Sequence, residues 1–334
     1  MKKLHHILAV GFVLTSCGLL SCAPFAMAAT TTSNPGSGQA LEIAPPLITL
    51  TANPGQTLKT NIELRDVADT SLLVTNEIND FVANGEDGTP KILTGDDSNN
   101  PYTLKAWVTP LQAITLQPHQ IETLPVTISV PTTAAPGGHY GVIRFSGTPP
   151  NLKGQGVSLS ASIGALVLLT VNGKLTEHMS VQEFSVNGGN GKAGSLFEAT
   201  PLTFVVRLKN SGNVQEEPTG YATITDMFGK PVAGVNINVP PRNVLPDSIR
   251  RFTGMLDKSV IGDKHLFGRY HAVLKMTYGT TSKQTLTASV YFWVIPYRLI
   301  GIVVAALIIG FFLLAFLIKR YNRHIIARSQ TRRR

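Results

Sequence analysis

Val235-Asn236-Ile237-Asn238-Val239 alternates apolar and polar side chains at every position. A period of two is the spacing of side chains along a β-strand, so this stretch predicts three apolar side chains facing a core and two asparagines facing solvent. Similar segments recur through residues 41–296, with turn residues every eight to twelve positions. That spacing is typical of an all-β sandwich.

The pattern predicts twelve strands, half of them on each side of Asn172-Gly173. In the first half the predicted strands are Leu47–Thr51, Leu58–Arg65, Leu72–Asp80, Glu122–Val130, Tyr140–Ser146 and Val157–Val171. In the second half they are Leu202–Leu208, Tyr221–Thr225, Val235–Val239, Ile249–Phe252, Tyr270–Tyr278 and Thr285–Val294.

The two halves resemble each other as divergent copies. Gly138-His139-Tyr140 in the first corresponds to Gly268-Arg269-Tyr270 in the second, which predicts that the two tyrosines meet the same packing need. The first copy carries about 16 extra residues, and they fall in Asn84–Pro110. We therefore expect an insertion in the first copy at residues 84–110.

The positive charge of the chain is confined to its ends. The formal net charge is +9, but ten of the 29 Lys and Arg residues lie outside residues 29–296, which leaves 19 against all 20 acids. The body is therefore nearly neutral, and its charge gives no reason to expect nucleic acid as a partner.

Two apolar segments predict export and anchoring. Residues 1–28 have the basic start, apolar stretch and Ala26-Met27-Ala28 ending of a secretory signal peptide, and a linker follows at residues 29–40. Leu299–Ile318 is 20 residues without a charge, long enough to cross about 30 Å of hydrocarbon. We assign residues 297–318 to a transmembrane helix and residues 319–334 to a basic cytoplasmic tail, with the body extracellular in a type I orientation.

The only two cysteines, Cys17 and Cys22, lie in the signal segment. Cleavage after Ala28 leaves a mature chain without disulfides or thiol chemistry. Each cysteine also follows a small residue, so a lipoprotein signal remains an alternative. The predicted fold is thus all-β, with two tandem immunoglobulin-like β-sandwiches at residues 41–173 and 174–296 and one C-terminal transmembrane α-helix.

Several stretches of the first half carry a family resemblance. They are Leu41–Pro46, Thr115–Pro131, Pro136–Ile143 and Gly164–Leu169. Together with the layout of the chain, they resemble the WxL-interacting surface proteins of Gram-positive bacteria. The resemblance implies a first domain that binds peptidoglycan and a second domain that contacts host or partner proteins.

The sequence carries no recognisable catalytic, cofactor-binding or metal-binding motif, so we expect no enzyme activity, no cofactor and no metal. A loose calcium site formed by Glu86, Asp87, Asp96 and Asp97 remains an alternative. The histidines at 119, 139, 265 and 271 lack metal-ligand spacing, and we expect them to be solvated or on strand surfaces. Sequence alone leaves open a convergent pair of catalytic carboxylates.

The candidate ligand loop lies in the insertion and contains Asp96, Asp97, Tyr102 and Trp107. One interpretation is an exposed aromatic platform for a glycan or a protein. The other is that the insertion folds back and Trp107 fills the sandwich core. The function predicted from the sequence is a membrane-anchored, non-enzymatic surface protein that binds peptidoglycan or partner surface proteins. The alternative is a membrane-tethered assembly or chaperone-like subunit, because sandwiches commonly bind partners through edge strands.

Overall fold

The computed structural model describes residues 41–95, 100–148, 162–262, 264–280 and 282–331. The predicted signal peptide and linker, Asp96, Asp97 and the last three residues of the tail lie outside this part of the chain. The described residues are mostly β-strand, with one long apolar helix at the C-terminal end, so this part of the prediction is confirmed.

The described part of the first region, residues 41–171, contains nine strands. They are β1 (Leu41–Ala44), β2 (Leu47–Ala52), β3 (Thr57–Asp66), β4 (Leu72–Asn84), β5 (Thr89–Leu93), β6 (Ile114–Leu116), β7 (Ile121–Ser129), β8 (Gly137–Thr148) and β9 (Ser162–Val171). One sheet has the order β1-β3-β7, and the other has the order β2-β9-β8-β4-β5 with β6 also paired to β4. A short 3-10 helix covers Lys105–Trp107.

In the second region, the described residues between 179 and 294 form eight strands. They are β10 (Met179–Asn187), β11 (Leu196–Phe197), β12 (Leu202–Asn210), β13 (Thr219–Asp226), β14 (Pro231–Ile237), β15 (Ser248–Leu256), β16 (Gly268–Tyr278) and β17 (Gln284–Val294). Its sheets have the orders β10-β12-β15 and β11-β17-β16-β13-β14. The one-turn helix α1 (Lys258–Ile261) follows β15.

Each region has its own hydrophobic core, to which both of its sheets contribute. Ile62 of β3 and Phe145 of β8 are buried in the first core, and Phe204 of β12 and Phe292 of β17 in the second. Side chains of a strand alternate between faces, so the period-two pattern is what places one face of each sheet in its core.

The two regions have the same strand order. β1-β3-β7 corresponds to β10-β12-β15, and in both regions the last strand pairs in parallel with an early one, as β9 does with β2 and β17 with β11. The hairpin partner β5 likewise corresponds to β14. The excess residues of the first region therefore lie between β5 and β7.

Two details of the sequence interpretation are wrong. β14 ends at Ile237, because Asn238 adopts a left-handed conformation (φ 59°) and its side-chain amide donates to Pro218 O and Arg242 O. Asn238 is consequently buried, and Val239 is 72% exposed. The matched tyrosines also differ, since Tyr270 lies in the second core and Tyr140 belongs to a separate cluster outside the first core.

The helix α2 (Tyr297–Thr331) begins three residues after β17 ends. Its segment Tyr297–Tyr321 is long and apolar enough to cross a membrane, and it is the one helix of the described residues with these properties.

Candidate functional site

The outer face of the larger sheet in the first region packs against the second region. Neighbouring residues of β8 serve opposite faces: Ile143 points into the first core, whereas Tyr140 and Val142 belong to the outer cluster. That cluster also includes Phe81 of β4, and Leu245 of the second region packs against it. The two regions therefore share buried apolar surface at this point.

Hydrogen bonds from two tyrosines also join the regions. The Tyr140 hydroxyl donates to Gln215 Oε1 over 3.0 Å, and the Tyr102 hydroxyl donates to Asp247 Oδ2 over 2.8 Å. Burial raises the pKa of both phenols, that of Tyr102 to about 12 with a further contribution from Asp247. Both hydroxyls stay protonated at neutral pH and act as hydrogen-bond donors.

The turn between β4 and β5 docks onto the second region. Glu86 forms an ion pair with Arg207, with Arg207 Nε 2.7 Å from Glu86 Oε2, and its backbone oxygen accepts from Arg251 N. The hydrogen bond from Arg207 holds the pKa of Glu86 below its ordinary value. Gly88 (φ 85°) lies against the Arg250 guanidinium, where a Cβ would be 2.1 Å from Arg250 Nη2. A glycine is therefore needed both for the turn and for the close approach.

A cleft of about 220 Å³ remains beside these contacts. Its first-region wall includes Leu47 of β2 together with Leu166 and Leu168 of β9, and its second-region wall includes Arg242 and Arg250. The cleft is therefore mainly apolar, with guanidinium groups on one side.

The arginines of the cleft are close enough to repel each other. Burial is the main cause that lowers the pKa of Arg250, and the positive charge of Arg242 lowers it further. Both also line a polar recess of about 170 Å³ together with Arg251. Within the described part of the chain none of the three forms an ion pair, although Asp87 attracts Arg250 at longer range. An incoming carboxylate would relieve this repulsion.

The strand β2 adds an open sheet edge to the same cleft. Among the described strands it pairs only with β9, and its sequence LITLTA has no charge and no proline. Proteins usually protect edge strands with charges, prolines, bulges or very short length.

The other edge strands of the described residues carry such protection. Charged residues occur in β1 (Glu42), β5 (Lys91), β7 (Glu122), β10 (Glu183) and β15 (Arg250 and Arg251), β14 starts with Pro231, and β6 and β11 have three and two residues.

Every second backbone amide of β2 points away from the sheet. The oxygens of Pro46 and Ala52 accept from β9 and its continuation, so the even-numbered residues face β9. By alternation, the N–H and C=O groups of Leu47, Thr49 and Thr51 point to the open side. Leu47 is 44% exposed, and it lies on the cleft wall as well as on this edge.

The residues of the predicted ligand loop are placed apart from this edge. Asp96 and Asp97 lie outside the described residues, and Tyr102 is used in the contact with Asp247. Trp107 is half-buried against the first core and packs on the His139 ring with centroids 4.3 Å apart. This position favours the packing interpretation of Trp107, and a ligand-binding role for the loop stays a prediction.

The expectation that His139 is solvated or on a strand surface is wrong. His139 is buried, and its two ring nitrogens lie 3.0 Å from Thr103 O and Ala135 O. Both oxygens are acceptors, so a hydrogen bond forms only from a ring nitrogen that carries a proton. The contact with Thr103 O places the imidazole of β8 against the insertion. Among the described residues no group of three His, Cys, Asp or Glu side chains is arranged to hold a metal ion.

Sequence reasoning missed the arginines of the cleft and the open edge of β2. Arg250-Arg251 is visible as a basic pair, and LITLTA is visible as an uncharged strand. Their proximity depends on how the two regions pack, and no local pattern carries that information.

No protein-family model and no curated protein matches the chain. Solved structures with similar folds include the Escherichia coli chaperone DraB, with 14% identity, 75% of this chain and 98% of that chain covered, and a TM-score of 0.33. A chain from the Salmonella enterica SafA pilin–SafB chaperone complex shows 10% identity, coverages of 75% and 97%, and a TM-score of 0.36. A chain from a chaperone–tip adhesin complex of CFA/I fimbriae biogenesis shows 12% identity, with 75% of this chain and 98% of that chain covered, and a TM-score of 0.39. With such low identities and TM-scores, function has to be argued from the residues of this chain.

Proposed function

We propose that this chain is a membrane-anchored, non-enzymatic assembly or chaperone-like subunit, built of two tandem immunoglobulin-like sandwiches, that holds an extended segment of a partner protein along β2. The observation that carries this proposal is the unprotected edge of β2 beside the apolar cleft. Of the functions predicted from the sequence, it corresponds to the alternative.

Main-chain hydrogen bonds would supply the affinity. A strand added to β2 pairs with the outward groups of Leu47, Thr49 and Thr51, which is the β-augmentation mode of peptide recognition. A partner residue opposite Leu47 has its Cβ roughly 5 Å from that of Leu47. Its side chain then lies at the mouth of the cleft.

Side-chain contacts would supply the specificity. The leucines of the cleft favour an apolar side chain, and Arg242 and Arg250 favour a neighbouring carboxylate. A half-buried guanidinium forms stronger hydrogen bonds to a carboxylate than to a neutral group. The preferred partner is therefore an extended segment in which an acidic residue accompanies an apolar one.

The membrane helix would keep the partner at a cell surface. The helix segment Tyr297–Tyr321 crosses the membrane, the basic residues after Ile318 stay on the cytoplasmic side, and both β-regions lie outside. Peptidoglycan binding by the first region follows from the resemblance to the WxL-interacting proteins and stays a separate prediction.

The test uses the full chain in nanodiscs and two nine-residue fluorescent peptides of alternating Val and Thr, one with a central Glu and one with a central Gln. Fluorescence anisotropy should show the Glu peptide binding at least 5-fold more tightly. Thr49→Pro removes an outward N–H but leaves the hydrogen bonds to β9 in place. It should weaken the binding of both peptides more than 10-fold. Thr49→Val keeps that N–H and is the matched control that should bind normally.

Two results would contradict the proposal. One is that neither peptide binds at millimolar concentration, and the other is that Thr49→Pro binds as well as Thr49→Val. If the chain sediments with purified cell-wall sacculi and Thr49→Pro does not change this, the result supports the prediction that the first region binds peptidoglycan. Arg242→Gln with Arg250→Gln should abolish only the preference for Glu, so its result separates the specificity argument from the edge argument.

A further inference from the structure

Large apolar side chains are exposed at the end of the second region from which α2 leaves. Phe228, in the turn between β13 and β14, is 87% exposed, and Phe267, just before β16, is 64% exposed. The end of β13 pairs with the start of β16, and the start of β16 pairs with the end of β17. These turns and the exit toward α2 therefore lie at one end of one sheet.

Other exposed side chains extend this apolar end. Met227 lies against Gly268, since a Cβ on that glycine would be 2.4 Å from Met227 Cε. Trp293 and Leu196 are exposed and directly opposite each other on β17 and β11. Apolar residues scattered singly over a surface are normal for a monomer. A contiguous exposed apolar patch, in contrast, marks an interaction surface.

The first turn of α2 is fixed to this same end. Ile295 N donates to Phe197 O over 2.8 Å, and Arg298 Nε lies 3.2 Å from Glu198 Oε2. A helix that enters a membrane at Tyr297 therefore brings the apolar end close to the lipid headgroups.

The charges around the patch suit a lipid surface. Lys230, Lys264 and Arg269 are exposed at or near this end of the sheet. One acid beside them makes contacts within the protein: Asp226 Oδ1 accepts from the backbone N–H groups of Phe228 and Lys230. The face therefore presents aromatic rings bordered by cations, the composition found where proteins meet the headgroup layer.

We propose that this end of the second region rests in the headgroup layer of the membrane that α2 crosses. Phe228 and Phe267 insert at the boundary between headgroups and acyl chains, and Lys230, Lys264 and Arg269 contact lipid phosphates. The occupant of the surface is the lipid bilayer, because the exposed patch is continuous with the start of the membrane helix. A protein partner or a second copy of the chain would instead have to fit between the patch and the bilayer.

The chain has only two tryptophans, so quenching by brominated lipids can test the contact. The full chain is placed in nanodiscs of phosphatidylcholine and phosphatidylglycerol, with or without brominated acyl chains. In a Trp293→Phe background, Trp107 gives a constant signal. Phe228→Trp and Tyr221→Trp are then compared, because Tyr221 is exposed on β13, roughly 17 Å along the strand from its end at Asp226.

We expect brominated lipid to quench more than half of the added fluorescence of the F228W variant and less than a tenth of that of Y221W. Equal quenching of the two variants, or quenching of neither, would overturn the proposal. As a second measurement that does not depend on an added tryptophan, Phe228→Ser with Phe267→Ser should reduce the quenching of Trp293 without changing the oligomeric state in the nanodisc. Dissociation of an oligomer by that double variant would show that a second copy, and not lipid, covers the patch.

Discussion

The first and second regions share one strand order but differ at the strand that pairs with the last one. In the first region β2 has six residues and an open outer edge, whereas its counterpart β11 has only two. The outer sheet faces differ as well, because that of the first region is covered by Leu245 and that of the second exposes Tyr291 and Trp293. The comparison indicates that the two regions agree in strand order and differ at their edges and outer faces, where we propose that partners bind.

The two tryptophans give the largest expected difference between the regions. Trp107→Ala should lower the free energy of unfolding by about 3 kcal/mol, because the ring packs on the first core and on His139. Trp293→Ala should cost less than about 0.5 kcal/mol, because that ring is exposed. Chemical denaturation in detergent micelles measures both. Unchanged stability of the Trp107→Ala variant would contradict the packing interpretation and favour a ligand-binding role for Trp107.

The pH response should come from the second region. Burial is the main cause that raises the pKa of Glu216 to about 7, while Gly279 N donates to its Oε2 and opposes the shift. The folded chain then holds a proton that the unfolded chain releases near pH 4.5, so stability should fall as pH rises from about 4.5 to about 7 and then level off.

Melting temperatures of the wild type and Glu216→Gln between pH 4.5 and 8.5 check this prediction. The difference between the two profiles should shrink at acid pH and widen toward pH 7, because glutamine imitates the protonated acid. Parallel profiles would mean that Glu216 titrates normally and that other groups set the pH response.

Two turn glycines give the smallest and most specific comparison. Gly88 (φ 85°) and Gly229 (φ 81°) occupy corresponding turns, but only Gly88 lies against a residue of the other region, Arg250. Alanine should cost about 1 kcal/mol at either site because of the positive φ. Gly88→Ala should in addition displace Arg250 and weaken binding of the Glu peptide, whereas Gly229→Ala should leave binding unchanged. Equal binding by both variants would separate Arg250 from ligand recognition.

Much of the fold could be predicted because long strands carry a clear alternation. All twelve predicted segments overlap strands of the structure. Most of the strands that the pattern does not predict lack that signal: β6 and β11 are very short, β5 contains Pro90, and β10 has a register shift between Val181 and Glu183 that interrupts its alternation. The remaining one, β1, does alternate, but it has only four residues. The prediction that Val239 faces the core is wrong because the left-handed conformation of Asn238 ends the strand and turns the Val239 side chain to solvent. The alternation in the sequence continues through Val239 and does not reveal this change.

The candidate site could not be predicted in the same way. Leu47 and Arg250 are far apart in the sequence, and they line one cleft because the two regions pack through Tyr140, Glu86 and Leu245. Such packing depends on long-range contacts that no strand period encodes.

The short connection between β17 and α2 has a consequence for where a partner can be met. Ile295 and Pro296 are the only residues between strand and helix, and the hydrogen bond from Ile295 to Phe197 leaves little slack. A chain joined this rigidly to a membrane helix, as the proposed function requires, cannot sweep a volume above the bilayer as one on a flexible stalk does. Under the proposed function, the open edge of β2 is held at one height and in one direction, so a client that emerges from the same membrane is found by a search in two dimensions.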